Sequence, residues 1–264
     1  MSARKPLVVT WLGHATALIE LDDTRVLTDP VLRERIGPLR RIATSVNRAV
    51  LENLDAVVIS HLHADHADAA SLRMLDPARV VGPRGSRRWL SRHGVSGVQE
   101  LAAGEQTELA GLELRATPAA HDGRRWPFAR SADPIGLVLE GSQACYFAGD
   151  TDLYAGMAEL AGHVDLALLP VWGWGATLGP GHLDPARAAT AVTRIAPRVV
   201  VPIHWGTFAP VWRVRRGDDP ALPARRFSEL VRRANPEVVV RLLAPGERTE
   251  LAPRSRSDVV GEPT

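Results

Sequence analysis

The chain has one cysteine and one lysine among its 264 residues, and nowhere a run of about 18 uninterrupted apolar residues. Each scarcity excludes something. With Cys145 alone, no disulfide can form within the chain, and a reducing compartment is the simplest home. Its setting, "ACYFAG", suits a buried inert thiol better than a nucleophile. Without a long apolar run, no membrane span is expected. The opening "MSARKPLVVTWLG" carries two positive charges but no apolar h-region and no small-residue cleavage site, so no leader is expected and the predicted location is cytoplasmic. Strong charge is lacking too. Lys+Arg number 32 against 30 Asp+Glu, a formal +2, and no global field argues for nucleic acid or an anionic membrane. Lys5 is the only lysine, and the near-exclusive use of arginine reads as compositional bias.

What is present is enough apolar residue, 45%, to build a substantial core. The first third reads as short strands, "LVVTWL" (7–12), "ATALIEL" (15–21) and "RVLTD" (25–29), parted by turn-like pairs. A basic stretch over 33–48 reads as irregular. "LDAVVIS" (54–60) is an apolar run suited to a strand buried on both faces, followed by a helix from about Ala67 to Leu75. Further strands are expected at 78–82, 112–118, 135–140, 144–149, 164–170, 198–203 and 237–243. Helices are expected within "GSRRWLSRHG", over 184–195, where Asp184 and Pro185 make a start signal, and at about 223–234. Strands in two groups, each followed by helices, predict an α/β fold of two packed sheets with helices outside. No linker or repeat breaks it, so residues 1–253 are expected to form one domain, with a disordered tail over 254–264.

Three of the nine histidines fall within six residues of "VVISHLHADHAD" (57–68). The signal lies in position. His61, His63, Asp65 and His66 follow the strand at 54–60; His121 follows 112–118; Asp150 follows 144–149; His204 follows 198–203. Seven potential ligands thus sit at the C-terminal ends of four buried strands, the end at which open α/β sheets build their sites. Five imidazoles and two carboxylates without thiolate suit a pair of divalent ions, with zinc first and manganese or iron as alternatives. In an extended segment His61 and His63 point the same way and can grip one ion together. Asp65 and His66 come after the turn, which favours a second ion, and Asp150 can bridge both.

"HLHADH" closely resembles the HxHxDH motif of the metallo-β-lactamase superfamily, and the later residues arrive in that superfamily's order. "TWLGHATALIELDDTRVLTDPVL", "FAGDTD", "GHLDPARAA" and "IHWGTF" are similar to the branch that contains N-acyl-phosphatidylethanolamine phospholipase D and the L-ascorbate-6-phosphate lactonase. The resemblance runs from Val8 to about Phe208. It implies a four-layer αββα sandwich, with His61, His63 and His121 on one metal, Asp65, His66 and His204 on the other, and Asp150 between them. His14 and Asp29 match the branch's "GHAT" and "DP" turns and are expected to support ligands, Asp29 by fixing the tautomer of a ligand imidazole.

His182, in "GHLDP", is either a loop residue or a donor of a hydrogen bond or proton to substrate. Arg124, Arg125 and Arg130 are either solvated charge or a clamp for phosphate or carboxylate. Trp172 and Trp174 suit an apolar pocket wall; Trp126 and Trp205 lie on segments that should also surround the metals. The expected activity is that of a binuclear metal-dependent hydrolase with a hydroxide shared between two ions and Asp65 orienting it. A small phosphodiester is the first substrate class and a lactone or carboxylic ester the second. The rival from another class is a non-catalytic metal-binding protein, whose sign would be a missing ligand. The basic segments around 33–48 and 211–226 can form a homo-oligomer interface or cover the pocket.

Overall fold

A computed structural model describes residues 5–124, 132–172, 179–212 and 219–253. Two seven-stranded sheets face each other. The first begins at the edge strand Arg248–Leu251 and continues through Leu7–Gly13, Thr16–Leu21 and Thr24–Thr28 in antiparallel pairings. It then turns parallel across Ala56–Val58, Val80–Pro83 and Val98–Leu101. The second repeats the scheme: Gln106–Leu109, Leu112–Pro118, Ile135–Glu140 and Ala144–Phe147 are antiparallel neighbours. Leu166–Pro170, Val199–Ile203 and Val239–Val240 follow in parallel.

Alternation along the strands builds the layers. Val9, Trp11 and Val58 of the first sheet meet Leu114, Leu137, Leu166 and Leu168 of the second in a shared core between the sheets. Their neighbours face outward. Val57 and Ile59 pack with Leu72 and Leu90, on the helices Ala69–Leu75 and Arg87–Arg92. Ala167 and Leu169 pack with Val192 and Phe227, on the helices Pro185–Ile195 and Leu222–Ala234. The result is the expected helix–sheet–sheet–helix stack. Cys145 lies in the shared core, and burial pushes its thiol pKa up.

Several boundaries differ from the sequence reading. The strand expected at 54–60 is Ala56–Val58 alone, which frees the segment after it to turn. The helix expected from Ala67 starts at Ala69, because Asp68 caps it by accepting from the Ser71 N–H. The strand expected at 237–243 shrinks to Val239–Val240. The stretch read as irregular, 33–48, contains the strands Arg35–Ile36 and Leu39–Arg41, which join Phe208–Pro210 in a small third sheet. The two pair with each other locally, and the second partner of Leu39–Arg41 lies some 170 positions away, beyond any local pattern. The tail 254–264 lies outside the described residues, among which no helix is long and apolar enough to cross a membrane.

Candidate metal centre

Four strand ends deliver the chemistry to one place. The chain leaves the first sheet after Ala56–Val58 and presents His61, His63, Asp65 and His66; the second sheet presents His121, Asp150 and His204 after three of its strands. Tight backbone features hold these ends. His14, Asp29 and His204 all have positive φ, at 54°, 33° and 64°, a costly conformation for residues with a Cβ. Gly149 (φ +59°) passes so close to Ser60 that an added Cβ would stand 2.5 Å from the serine Cβ. Only glycine allows the Asp150 loop to lie against the His61 strand end.

His61, His63 and His121 converge. Nδ1 of His63 lies 3.0 Å from Nε2 of His61 and 3.2 Å from Nε2 of His121. Their outer nitrogens settle the tautomers. His63 Nε2 donates to the Arg124 carbonyl (3.1 Å), and His121 Nδ1 to the Gly181 carbonyl (2.8 Å). Ser60 Oγ gives its proton to Asp29 (2.5 Å) and so accepts from His61 Nδ1 (3.0 Å). Each neutral ring then turns a bare nitrogen inward. Burial lowers the pKa of His61 well below its ordinary value and brings that of His121 down to about 4, so neither holds a second proton near neutrality. Three lone pairs facing one another repel unless a cation lies among them. Nitrogens about 2.0–2.1 Å from a tetrahedral zinc stand about 3.3–3.4 Å apart, close to the spacings found.

The second group is His14, Asp65, His66 and His204. His66 Nδ1 donates to Asp29 (2.7 Å) and His204 Nδ1 to the Trp172 carbonyl (2.5 Å), leaving both Nε2 atoms inward and 3.2 Å apart. Asp65 Oδ2 stands 3.8 Å from each of them and 3.0 Å from His14 Nε2. The His14 ring also lies on that of His204, with centroids 3.9 Å apart. Burial and the neighbouring His204 bring the His14 pKa down to about 3. Asp150 faces the same two rings: Oδ2 is 3.3 Å from His66 Nε2 and Oδ1 is 3.2 Å from His204 Nε2. Oδ1 is buried with no hydrogen-bond donor among the described residues, the state of an oxygen that needs a cation. Burial alone would raise the pKa of Asp150, but His204 and His66 hold it well below the carboxylate range. Burial alone would lower that of His66; Asp150 and Asp65 outweigh it and hold the value well above normal. Both donor sets therefore fit divalent metal ions.

His182 sits at the rim, 28% exposed, with Nε2 at 3.6 Å from Asp150 Oδ2 and its ring centroid 4.7 Å from that of His121. Arg124 turns its guanidinium onto the exposed Asp122 at 2.8–3.1 Å, and only its carbonyl reaches the histidines. Trp172 likewise contributes a carbonyl. Trp205 stacks on Trp11, with centroids 4.8 Å apart, in the packing beneath the site. Arg125, Trp126, Arg130 and Trp174 lie outside the described residues. Two supports escaped the sequence reading. Ser60 is one; the other is Thr207, buried, whose Oγ1 accepts from the His14 N–H at 2.6 Å. The position of Ser60, just ahead of "HLHADH" at a strand end, was the available signal.

A family model described as a beta-lactamase superfamily domain matches residues 24–205. A metal-dependent hydrolase of Methanopyrus kandleri is 34% identical over 253 residues, covering 92% of this chain and 99% of that protein. An N-acyl-phosphatidylethanolamine-hydrolyzing phospholipase D of Caenorhabditis elegans is 29% identical, covering 76% of this chain and 64% of that protein. Among solved structures, a metallo hydrolase of Ignicoccus hospitalis superposes with a TM-score of 0.71 at 26% identity, covering 93% of this chain and 98% of the other.

Proposed function

The chain belongs to the β-lactamase superfamily and is a metal-dependent hydrolase, and from that premise we propose that it holds two divalent metal ions and cleaves a small phosphodiester. The observation that carries the two-ion reading is the pair of inward-facing donor sets. On one side, the inward nitrogen of His63 stands 3.0 Å from that of His61 and 3.2 Å from that of His121. On the other, Asp150 Oδ1 has no hydrogen-bond donor among the described residues and lies 3.2 Å from His204 Nε2, with Oδ2 3.3 Å from His66 Nε2. Zinc suits this mixture of nitrogen and oxygen, with manganese or iron as alternatives. When bound, such ions supply Lewis acidity and hydroxide near neutral pH.

The remaining work falls to the chain's own groups. His61, His63 and His121 present unprotonated nitrogens, oriented by their outer N–H bonds. Asp150 turns Oδ2 toward His66 and Oδ1 toward His204 and also groups with His121, which supports it as the carboxylate shared by the two sets. Asp65 is held by His14 Nε2 at 3.0 Å, in place to orient an attacking water. His182 Nε2, at the rim 3.6 Å from Asp150 Oδ2, is placed to donate a hydrogen bond or proton to the leaving oxygen. The phosphodiester class is supported by the phospholipase D relative, whose name states phosphodiester chemistry.

Hydrolysis of bis(p-nitrophenyl) phosphate by protein reconstituted with zinc or with manganese tests this reading, with His63→Ala as control. Metal-dependent turnover should be lost in the variant, together with bound metal, while its circular dichroism stays native. A variant that keeps metal and turnover removes His63 from the site. Two bound ions without turnover in the wild type would move the reading to lactones and carboxylic esters.

A further inference from the structure

Asp29 and Ser60 lie beneath the two converging donor sets, and one ring of each set hangs on them. Asp29 is fully buried and spends both oxygens here. Its Oδ1 accepts from the Ser60 backbone N–H (2.7 Å), and its Oδ2 from both Ser60 Oγ (2.5 Å) and His66 Nδ1 (2.7 Å). The serine oxygen, its proton given to Asp29, accepts from His61 Nδ1. We propose that Asp29 and Ser60 form a positioning relay that couples the two halves of the centre, so that one carboxylate orients His66 directly and His61 through a single hydroxyl.

The surroundings are built to hold this geometry. Thr16 Oγ1 donates to the Asp29 carbonyl (2.8 Å) and accepts from the Val31 N–H (3.1 Å), which clamps Asp29 in its positive-φ turn. The Asp29 N–H donates to the Val58 carbonyl (2.9 Å), tying the turn to the strand that leads to Ser60. Gly149 covers the serine hydroxyl from the other side. The relay fixes the inward nitrogens of His61 and His66 at once. It also makes these rings better donors, since an N–H shared with an anion leaves more electron density on the opposite nitrogen.

The relay is asymmetric, and this makes it testable. Ser60→Ala cuts only the arm to His61. Asp29→Asn removes the charge behind both arms and puts an NH2 group where one accepting oxygen stood. The relay rests on the two-ion reading above, so the wild type is measured first: zinc stoichiometry and the dissociation constant of each ion, by competition with a chromophoric chelator. Ser60→Ala should weaken one ion by about tenfold or more and leave the other within about twofold; Asp29→Asn should weaken both. Ser86→Ala is the control, because its buried hydroxyl makes no hydrogen bond among the described residues; it should bind zinc as the wild type does.

One ion in the wild type would overturn the two-ion reading and the relay with it. Two ions in the wild type, with both weakened alike in Ser60→Ala, would overturn the relay alone. So would an Asp29→Asn that weakens a single ion. Melting of the metal-free proteins separates positioning from packing: a Ser60→Ala loss of stability equal with and without zinc would make Ser60 a packing residue and sink the proposal. Should Ser60→Ala fail to fold, the Asp29→Asn comparison still decides.

Discussion

At the scale of single residues, the centre separates groups that face inward from His182 at the rim. The seven residues expected as ligands are gathered within a few ångströms, each histidine among them with its outer nitrogen committed to a carbonyl, a hydroxyl or a carboxylate. His182 differs: its Nδ1 lies 3.4 Å from the Gly179 carbonyl and its Nε2 is left toward the open side near Asp150. The proposed role for His182 is to serve the reaction without holding an ion, although it also lies with His121 and Asp150 in a group that could hold one. His182→Gln should therefore leave zinc content and melting temperature near the wild-type values while kcat falls by roughly 10²-fold, the usual worth of a positioned acid or base. Parallel metal analysis and steady-state kinetics check it. Loss of zinc in step with loss of rate would instead make His182 a ligand.

Elements differ in how openly the sequence announces them. The helix Pro185–Ile195 is legible because its start is written locally: Asp184 accepts from the N–H groups of Ala186 and Arg187 at 2.9 and 2.8 Å, and Pro185 needs no donor there. Asp184→Ala should cost about 1 kcal/mol, read as a lower denaturant midpoint, with bound zinc unchanged because the cap touches none of the ligands. A shift near zero would mean the helix is held by packing alone. The strands Arg35–Ile36 and Leu39–Arg41 are illegible for the opposite reason: they pair with each other over two and three residues, too short for an alternation to show, and the further partner of Leu39–Arg41, Phe208–Pro210, comes from far along the chain. The metal site was more legible than the third sheet because histidine and aspartate declare their chemistry by type, and the strands before them declare where they emerge. Ser60 and Thr207 declare nothing: a hydroxyl becomes a support only through the partners the fold brings to it. Arg124 shows the converse. Its type allowed either a solvated charge or an anion clamp, and its guanidinium lies on Asp122, a neighbour two residues away.

At the scale of the whole molecule, the candidate ligands come from both sheets. His61, His63, Asp65 and His66 leave the first, and His121, Asp150 and His204 leave the second. Ions bound among them would tie the sheets together at an edge where their loops carry like-facing lone pairs and buried carboxylates. Elsewhere the sheets are joined by the apolar core that runs from Leu7 through Trp11 to Leu168 and Val201, which owes nothing to metal. Chelation should therefore leave the far-UV circular dichroism close to that of the loaded protein and lower the melting temperature. An ion at a thousandfold excess over its dissociation constant contributes about 4 kcal/mol, and each kcal/mol moves the melting temperature of a chain this size by about 2–4 °C. A fall of at least about 10 °C on metal removal, reversed by adding zinc back, is the expected result in a calorimetric scan. Because Asp29 supports both halves, the metal-free Asp29→Asn protein should gain less than the wild type on adding the same zinc concentration. Equal melting temperatures with and without metal would mean that the ions bridge nothing, and that the apolar core alone sets how the two sheets meet.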